Sequence, residues 1–439
     1  MNTSEACVCS KAELELFDTP PVNISMERGD FVVHRTLATI TDHGPLEFFV
    51  PGSPEEYIDL GRTRLHLKVK IVKLNGAAPA ATDKLSTANL LLHTLFSQVD
   101  CKLNQKLVTP SINTYPYKAY LETLLAHGQE SKTSWLSSEL FYADSADMAS
   151  YDPTSDAADV NPGLVRRFDR MKVGQMVELV GRPHIDIFQQ DKYLLNGVDL
   201  GLKFTRSSAA FHLMSDDAAP FKTEIIEAAL HVRKVKINPA ISLQHHKTLE
   251  QGITAKYPLR RGVVSTFTIP QGNLSFNKEN LLTGQQPRRI VLGFVTNEAF
   301  NGASRQNPFM FRNFGLNYLT VNSDTQQFPS QPLRPNFGTH ETIQAFYQLY
   351  AGMGLNNANA GLNIGIDTFQ NGNTLYALDL TPDMAEGAHT DPVKYGHLRL
   401  EVHFDTALAH PINCICYAEY DNMIQIDKAR NIIADFAPS

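Results

Sequence analysis

Alternation of apolar and polar residues with a period of two is the feature that most constrains the fold of this 439-residue chain. The segment Arg64–Ile71 is apolar at every second position, namely Leu65, Leu67, Val69 and Ile71. Successive side chains of a β-strand point to opposite faces, so this pattern predicts a strand with one buried face and one solvent-facing face. The pattern recurs at His397–Phe404, and again at Cys414, Cys416, Ala418 and Tyr420.

Further strands are predicted along the whole chain, separated by polar turns or turns that contain Gly or Pro. They span Phe31–Ile40, Val99–Leu103, Gln175–Val180, His184–Phe188, Glu224–Ile237, Val263–Ile269 and Arg289–Val295. The apolar phase slips at Val72–Leu74, which predicts a β-bulge. Helices are few: apolar stripes predict them at Pro116–His127 and His340–Ala351, and a weaker one runs from Asn161 to Arg170. The predicted fold class is all-β, with a few helices in loops.

The two stronger helices lie roughly half a chain length apart, and each follows a strand hairpin and a Pro-containing loop. This recurrence of strand, turn, strand, loop and helix predicts two similar β-domains in tandem. We expect an N-terminal extension at 1–28, a first domain at 29–238 and a second domain with a C-terminal strand and tail at 239–439. The join is expected at Asn238–Gly252, where Pro239 stops the preceding strand.

Composition narrows the classes of function. Lys and Arg number 39 against 46 Asp and Glu, a net charge of −7, which argues against a dedicated nucleic-acid binder. Charged residues make up 19% of the chain, below the usual share of about 25%, which indicates surfaces covered by partners.

No apolar stretch approaches the ~20 residues of a membrane-spanning helix. The start of the chain shows no secretory signal, so we expect synthesis in the cytoplasm.

The five cysteines do not form a disulfide framework, because their number is odd and low. Two Cys-x-Cys pairs, Cys7–Cys9 and Cys414–Cys416, offer a remote zinc alternative. The second pair lies in a strand pattern that points both thiols to one face, so buried, reduced thiols are the preferred interpretation, together with Cys101. Reduced thiols indicate a cytosolic or nuclear origin.

Motifs for catalysis are missing or incomplete. The segment Gly197–Lys203 has the wrong glycine spacing for a phosphate loop, and no Gly-x-Ser-x-Gly nucleophile elbow occurs. His184 and Asp186, with His231 as a third ligand, match the His-x-Asp pattern of Fe(II)/2-oxoglutarate oxygenases only weakly. The same pattern recurs at His403 and Asp405, which should point outward because Phe404 belongs to the inner set.

Other chemistry-bearing residues favour ordinary roles. The pair His245–His246 is expected to be solvated, and His340–Glu341 lacks the second histidine of a zinc-protease helix. Trp135 is expected in the core or an interface. Three arginine pairs are more typical of rim salt bridges than of nucleic-acid contacts: Arg166–Arg167, Arg260–Arg261 and Arg288–Arg289. We therefore predict no catalytic, cofactor-binding or metal-ligating residues, and no cofactor.

Three segments carry a resemblance to a known family. Phe31–Ile71, Leu95–Leu125 and the tail Tyr417–Ile433 resemble the double jelly-roll major capsid proteins of Polinton/Maverick elements, also called adintoviruses. The resemblance is strong over the first ~130 residues and at the C-terminus, and looser between about 140 and 220. These segments define a fold and contain no catalytic motif, so no functional residues are carried over.

The resemblance implies two tandem eight-stranded antiparallel jelly rolls in a virion capsid protein. It also implies a homotrimer with a pseudo-hexameric outline that packs with neighbouring trimers, and with a single jelly-roll penton protein, into an icosahedral shell. Such a shell encloses DNA, with weak or indirect contact to this chain, and assembles in the nucleus or cytoplasm. The alternative is a tandem β-sandwich that binds or acts on carbohydrate.

Overall fold

Two pairs of antiparallel sheets, one pair in each half of the chain, make up the fold. The computed structural model describes residues 16, 22–155, 160–216, 221–324, 326–356, 361–384 and 391–436. Most of the predicted N-terminal extension lies outside the described residues, and Cys7 and Cys9 lie there with it.

The first half forms two four-stranded sheets and a short two-stranded one. Its strands are β1 (Met26–Arg35), β2 (Leu46–Val50), β3 (Glu56–Lys73), β4 (Leu85–Thr87), β5 (Phe96–Leu103), β6 (Lys106–Leu107), β7 (Val177–Gly181), β8 (Leu200–Arg206), β9 (Leu213–Ser215) and β10 (Phe221–Ile237). The sheet orders are β1-β10-β3-β7 and β2-β8-β5-β6, and β4 pairs with β9.

The second half repeats this arrangement. Its strands are β11 (Ala255–Ile269), β12 (Ser275–Gln285), β13 (Arg289–Thr296), β14 (Leu316–Ser323), β15 (Gln327–Leu333), β16 (Leu375–Asp379), β17 (Tyr395–Phe404), β18 (Ile412–Ile426) and β19 (Ile432–Ala434). The sheet orders are β11-β18-β13-β16, with β19 added to β18, and β12-β17-β14-β15.

Both halves share one topology. When the strands of the two four-stranded sheets are numbered 1 to 8 along each half, both halves have the orders 1-8-3-6 and 2-7-4-5. In this order the first and last strands pair, and the connections cross between the two sheets. This is the double Greek-key arrangement of a jelly roll. The predicted fold class, two tandem eight-stranded jelly rolls with a few helices, is confirmed.

The alternating pattern produces the apolar cores. On β3, Leu65, Leu67, Val69 and Ile71 are all buried, whereas Lys68 and Lys70 on the opposite face pair with Glu227 and Glu224 of β10. On β17, the predicted inner set Leu398, Leu400, Val402 and Phe404 is buried in the same way. The predicted bulge at 72–74 is wrong, because β3 stays in register with β10 up to Lys73.

Helices lie between the strands. They are α1 (Leu91–Thr94), α2 (Tyr115–Ala126), α3 (Gln129–Thr133), α4 (Pro162–Met171), α5 (Ala209–His212), α6 (Pro239–Glu250), α7 (Asn297–Asn301), α8 (Ile343–Gly352) and α9 (Ile366–Gln370). The three predicted helices correspond to α2, α4 and α8. Helix α8 begins later than predicted, since residues before Thr342 form a turn in which Glu341 pairs with Asn336.

The predicted join contains a helix. Asn238 caps α6 by accepting a hydrogen bond from the Ala240 amide at 2.9 Å, and Pro239 occupies the first helical position. Asparagine at the cap followed by proline is a helix-start signal. The sequence interpretation treated Pro239 only as a strand stopper and therefore missed this helix.

An aromatic cluster joins the two halves. Helix α2 of the first half presents Tyr117 and Tyr120 to Phe309 of the second half. The rings of Tyr120 and Phe309 stack at 4.1 Å with an interplanar angle of 4°, and both side chains are buried. Nearby, the Lys132 ammonium donates hydrogen bonds to the carbonyls of Leu124 and Leu362, again one from each half.

A buried histidine in the first half leads to a prediction about acid stability. His212 is 2% exposed and lies between the hydroxyls of Ser207 (3.1 Å) and Thr223 (3.0 Å). Burial, reinforced by the charge of Arg206, lowers the pKa of His212 to about 3. Between the ordinary pKa of about 6.5 and this value, only the unfolded chain binds the proton, so folding stability falls as the pH falls.

We expect the His212→Gln variant to lose this component of the acid sensitivity. The difference in unfolding free energy between wild type and variant should change by up to about 1.4 kcal/mol per pH unit between pH 6.5 and pH 4. Urea denaturation at several pH values measures this difference, and taking the difference removes the contribution of carboxylates common to both proteins. Parallel pH profiles for the two proteins would contradict the prediction.

Candidate functional site

The proposed iron ligands of the sequence pattern do not come together. The predicted strand His184–Phe188 is wrong, since Asp186–Phe188 form a 3-10 helix. Asp186 pairs with the Lys118 ammonium at 2.5 Å, and His231 lies on β10 with its ring 5.6 Å from that of His66. Among the described residues, neither Asp186 nor His231 belongs to a group of side chains close enough to share a metal ion.

The repeated pattern at His403 and Asp405 points outward, as predicted. Phe404 is buried, whereas the side chain of His403 is 42% exposed and stacks on Tyr318 with ring centroids 4.6 Å apart. Asp405 is exposed and accepts a hydrogen bond from Asn317 at 2.7 Å. Each side chain has a local partner, and the pair does not form a shared site.

The other histidine candidates are held by ordinary contacts. On α6, His246 is exposed and pairs with Glu250 at 3.4 Å, whereas His245 is 3.0 Å from the Tyr57 hydroxyl. Both side chains are exposed, as expected of a solvated pair, and His245 also contacts Tyr57 of the first half. His340 lies in the turn before α8, next to Gln370.

The arginine pairs are mostly internal. Arg166 and Arg260 are exposed, but the other four side chains are buried: Arg167, Arg261, Arg288 and Arg289. Arg261, for example, lies over the rings of Tyr420 and Phe436 at 4.7 Å from each centroid. A location at the rim, or in contact with nucleic acid, is therefore wrong for these four arginines. The expected salt bridges do form for three of them, since Arg167 pairs with Asp144, Arg288 with Asp421 and Arg289 with Glu419.

Trp135 and the described cysteines lie in contrasting surroundings. Trp135 is 51% exposed and packs edge-on against His127, so it is not a core residue, and a role in an interface stays a prediction. Cys101, Cys414 and Cys416 are buried and not in disulfides, as predicted. Burial raises the pKa of Cys416 to about 12, which keeps this thiol protonated and unreactive.

A buried polar network connects α2 to both halves. The Lys118 ammonium lies 2.5 Å from Asp186 and 3.8 Å from Glu122. Asp186 also accepts a hydrogen bond from the Gly262 amide of the second half at 3.1 Å. Burial opposes ionisation of Glu122, but Lys118 and a 2.6 Å hydrogen bond from His184 outweigh it and lower the pKa of Glu122 to about 2.

A groove lies between α6 and the first jelly roll. Its cavity of about 540 Å³ is lined by Tyr57, Tyr193, Tyr257 and apolar residues of α6. The Tyr257 hydroxyl already donates to the Tyr193 carbonyl at 3.1 Å and accepts from the Leu195 amide at 3.0 Å. The Tyr57 hydroxyl bonds to His245. Two of these hydroxyls are thus engaged internally, while Asp191, Lys192, Thr248 and Lys256 add polar groups to the lining.

Strand β1 forms an exposed edge. It pairs only with β10 among the described residues, and each of its residues except His34 is exposed. Three consecutive apolar side chains lie on it, with Phe31 43%, Val32 38% and Val33 52% exposed. A long, apolar and unpaired edge strand is a template for association with another chain. We define the exposed apolar side chains of this edge, Phe31 and Val33 on one face of the sheet and Val32 on the other, as the β1 surface.

No described helix has the length and apolar character needed to cross a membrane. Beside the groove, a second cavity of about 490 Å³ has a lining that includes Glu55, Ser242, His245 and His246. The two His-x-Asp pairs of the sequence lie elsewhere, and their side chains are engaged in local contacts.

Comparison with known proteins places the fold. No family model matches the chain. A curated relative, an uncharacterised protein of Caenorhabditis elegans, is 25% identical over 405 residues, which cover 89% of this chain and 93% of the relative. Its function is not part of its description, so this similarity adds no activity.

Solved structures share the fold over almost the full length. A chain of the Sputnik virophage matches with a TM-score of 0.67 at 12% identity, covering 99% of this chain and 94% of that one. The Faustovirus major capsid protein matches at 0.58 and 9% identity, covering 93% and 92%. The mavirus major capsid protein matches at 0.50 and 10% identity, covering 99% and 97%. At these identities the similarity shows the double jelly-roll fold.

Proposed function

We propose that this chain is a major capsid protein, a structural subunit whose trimers tile an icosahedral shell around a DNA genome. The observation that carries the proposal is the occurrence of two jelly rolls with the same strand order in one chain. The full-length similarity in fold to the Faustovirus and mavirus major capsid proteins supports it. We also propose that the chain is not an enzyme, because its candidate catalytic residues are engaged in separate structural contacts.

The tandem arrangement favours a trimer. Three chains with two similar jelly rolls each give six similar walls, an outline that fits a hexagonal lattice. The contacts within such a ring are head-to-tail and close after three subunits. We propose domain boundaries at 29–238 and 239–439, with α6 in the segment that joins the two jelly rolls. The sheets support the division after 238, since the strands of the first half end at Ile237 and those of the second begin at Ala255, but β1 begins at Met26, three residues before the predicted start at 29.

The β1 surface is our candidate for the contact between subunits. It combines an unpaired strand edge with three exposed apolar side chains, which a second copy of the chain would bury. Light scattering should therefore show the purified protein as a particle of about 146 kDa, corresponding to three chains of 48.8 kDa.

The Val33→Asp variant is expected to shift this particle toward the 48.8 kDa monomer. Burying a carboxylate in an interface without a partner costs several kcal/mol. Each subunit contact of the trimer would be weakened by this amount, and we expect the trimer to dissociate at micromolar concentration. The matched control is Val173→Asp, since Val173 is 53% exposed against 52% for Val33 and lies in the short 3-10 helix Lys172–Gly174, outside the sheets. The control should remain trimeric.

Two outcomes would contradict parts of this account. A wild-type chain that stays monomeric at high concentration would count against the capsid function itself. If the Val33→Asp variant remains fully trimeric, the protein is still a trimer, but the β1 surface is not part of its interface.

The finer assignment is also a proposal. We infer that the chain comes from a Polinton/Maverick element, on the basis of the resemblance of residues 31–71, 95–125 and 417–433 to capsid proteins of that group. In such a virion its partners would be neighbouring trimers, a single jelly-roll penton protein and, weakly or indirectly, packaged DNA. Synthesis in the host cytoplasm and assembly there or in the nucleus accord with the buried, unpaired thiols.

A further inference from the structure

Three buried side chains from separate segments meet in the first jelly roll. His93 lies on α1, Glu139 ends the 3-10 helix Trp135–Glu139, and His184 follows β7. Their side chains are 1%, 4% and 14% exposed, respectively. We call this group the His–Glu–His cluster. It is separate from the β1 surface, and the inference below does not depend on the proposed capsid function.

The spacing of the cluster fits a metal ion. One ligand atom from each of the three residues lies within 4.8 Å of the other two. The distance from His93 Nε2 to Glu139 Oε2 is 3.2 Å. With zinc–ligand bonds of about 2.0–2.1 Å, the edge of a tetrahedron is about 3.3–3.4 Å, so these two atoms already have the separation of two zinc ligands.

The outer contacts of both imidazoles direct their Nε2 atoms to the same place. His184 Nδ1 lies 2.6 Å from Glu122 Oε2, and because an ionised carboxylate only accepts, Nδ1 carries the proton and Nε2 has a lone pair. His93 Nδ1 lies 2.9 Å from the Tyr115 hydroxyl. Metal-binding histidines are typically held by a carboxylate or another acceptor at the second ring nitrogen. The Thr123 hydroxyl, 3.3 Å from His184 Nε2, is the protein contact that a metal ion would replace.

The charges around the cluster also favour a divalent cation. Three buried carboxylates lie in the connected network, those of Glu122, Glu139 and Asp186, and the cation in direct contact with it is Lys118. Among the described residues, the carboxylate of Glu139 is contacted by the imidazole of His93 and not by a lysine or arginine. These carboxylates outnumber the cation in direct contact with them, and an excess of negative charge is costly in a buried site unless it is compensated.

We propose that His93, Glu139 and His184 bind a divalent zinc ion that stabilises the first jelly roll. Two histidines and a carboxylate also suit Fe(II). However, an Fe(II) centre of this type keeps open positions for its substrates, whereas the side chains of His93 and Glu139 are 1% and 4% exposed. A zinc ion completed by one water as its fourth ligand needs no such access. The proposal departs from the sequence-based expectation, which assigned no metal ligand.

The test is metal analysis of the full-length protein purified without chelators. We expect one zinc ion per chain by mass spectrometry of the metal content. The variants Glu139→Gln and His184→Gln should lose more than the about 10–100-fold in zinc affinity that is typical of an outer-shell partner, because each removes a direct ligand. The matched control is His66→Gln: the His66 side chain is 16% exposed and pairs with Glu178 at 2.6 Å, outside the cluster. This control should keep its zinc.

A second measurement uses the wild-type chain, so it does not depend on whether the variants fold. Titration of the metal-stripped wild-type chain with Co²⁺ should give the intense visible bands of a four-coordinate site, and added zinc should abolish them. The proposal is overturned if wild type takes up neither metal stoichiometrically. It is equally overturned if His66→Gln loses as much zinc as His184→Gln, or if the bound metal is iron.

Discussion

Replacing Arg167 with leucine should lower the free energy of unfolding by about 3–5 kcal/mol. The Arg167 side chain is fully buried, and its guanidinium lies 2.9 Å from Asp144. It also donates to the carbonyls of Thr87 (2.9 Å) and Tyr142 (3.0 Å), which belong to two separate segments that precede α4 in the chain. The leucine variant leaves the Asp144 carboxylate buried without its cation, and this uncompensated charge is the main cost.

The neighbouring arginine provides the matched control. Arg166 is exposed on the same helix, so Arg166→Leu should change the free energy of unfolding by less than about 0.5 kcal/mol. Urea denaturation monitored by circular dichroism measures both values. The double variant Arg167→Leu with Asp144→Leu should recover more than 1 kcal/mol of the loss, because it removes the unpaired charge. Equal effects of the two single variants would show that the buried ion pair contributes nothing specific.

The second large effect is expected at the boundary between the two jelly rolls. Phe309→Ala removes a fully buried ring that stacks on Tyr120 and contacts Tyr117 edge-on. Large-to-small changes of this kind cost about 3–5 kcal/mol. Because these partners belong to the other half, the variant should also uncouple the halves, so that they unfold at different urea concentrations.

The single tryptophan makes this uncoupling measurable. Trp135 lies in the first half, so its fluorescence reports that half, while circular dichroism reports both. The two signals should coincide in wild type and separate in Phe309→Ala. The control is Phe404→Ala, which empties an equally buried position inside the second jelly roll and should keep the signals together. Coincident signals in Phe309→Ala would contradict the coupling role of this cluster.

Alternation in the sequence predicted the strands that have one face exposed to solvent. β3 and β17 alternate cleanly because their outer residues pair with charged neighbours or face solvent. On β18 the alternation of Cys414, Cys416 and Ala418 is present, but Tyr417 between them is buried as well. There the outer face is covered by α2, whose Glu122 lies 3.4 Å from the Tyr417 hydroxyl. A periodic pattern cannot reveal a cover that comes from a distant part of the chain.

The failures of the sequence analysis have the same cause. The pattern of His184–Phe188 predicted a strand. Asp186 instead turns inward to pair with Lys118, which lies 68 residues earlier in the chain, and both charges are buried in this pair. The His–Glu–His cluster likewise draws on α1, the Trp135–Glu139 segment and the loop after β7, so no local motif marks it. In contrast, α6 had a readable signal: Asn238–Pro239 has the same cap and proline as Asn161–Pro162, which correctly predicted α4.

Electron microscopy of the purified full-length chain tests the capsid proposal most directly. The account predicts particles with threefold symmetry and six similar walls, in hexagonal outline, that pack side by side into sheets or closed shells as the concentration rises. Isolated two-lobed particles, each containing a single chain at every concentration, would contradict it.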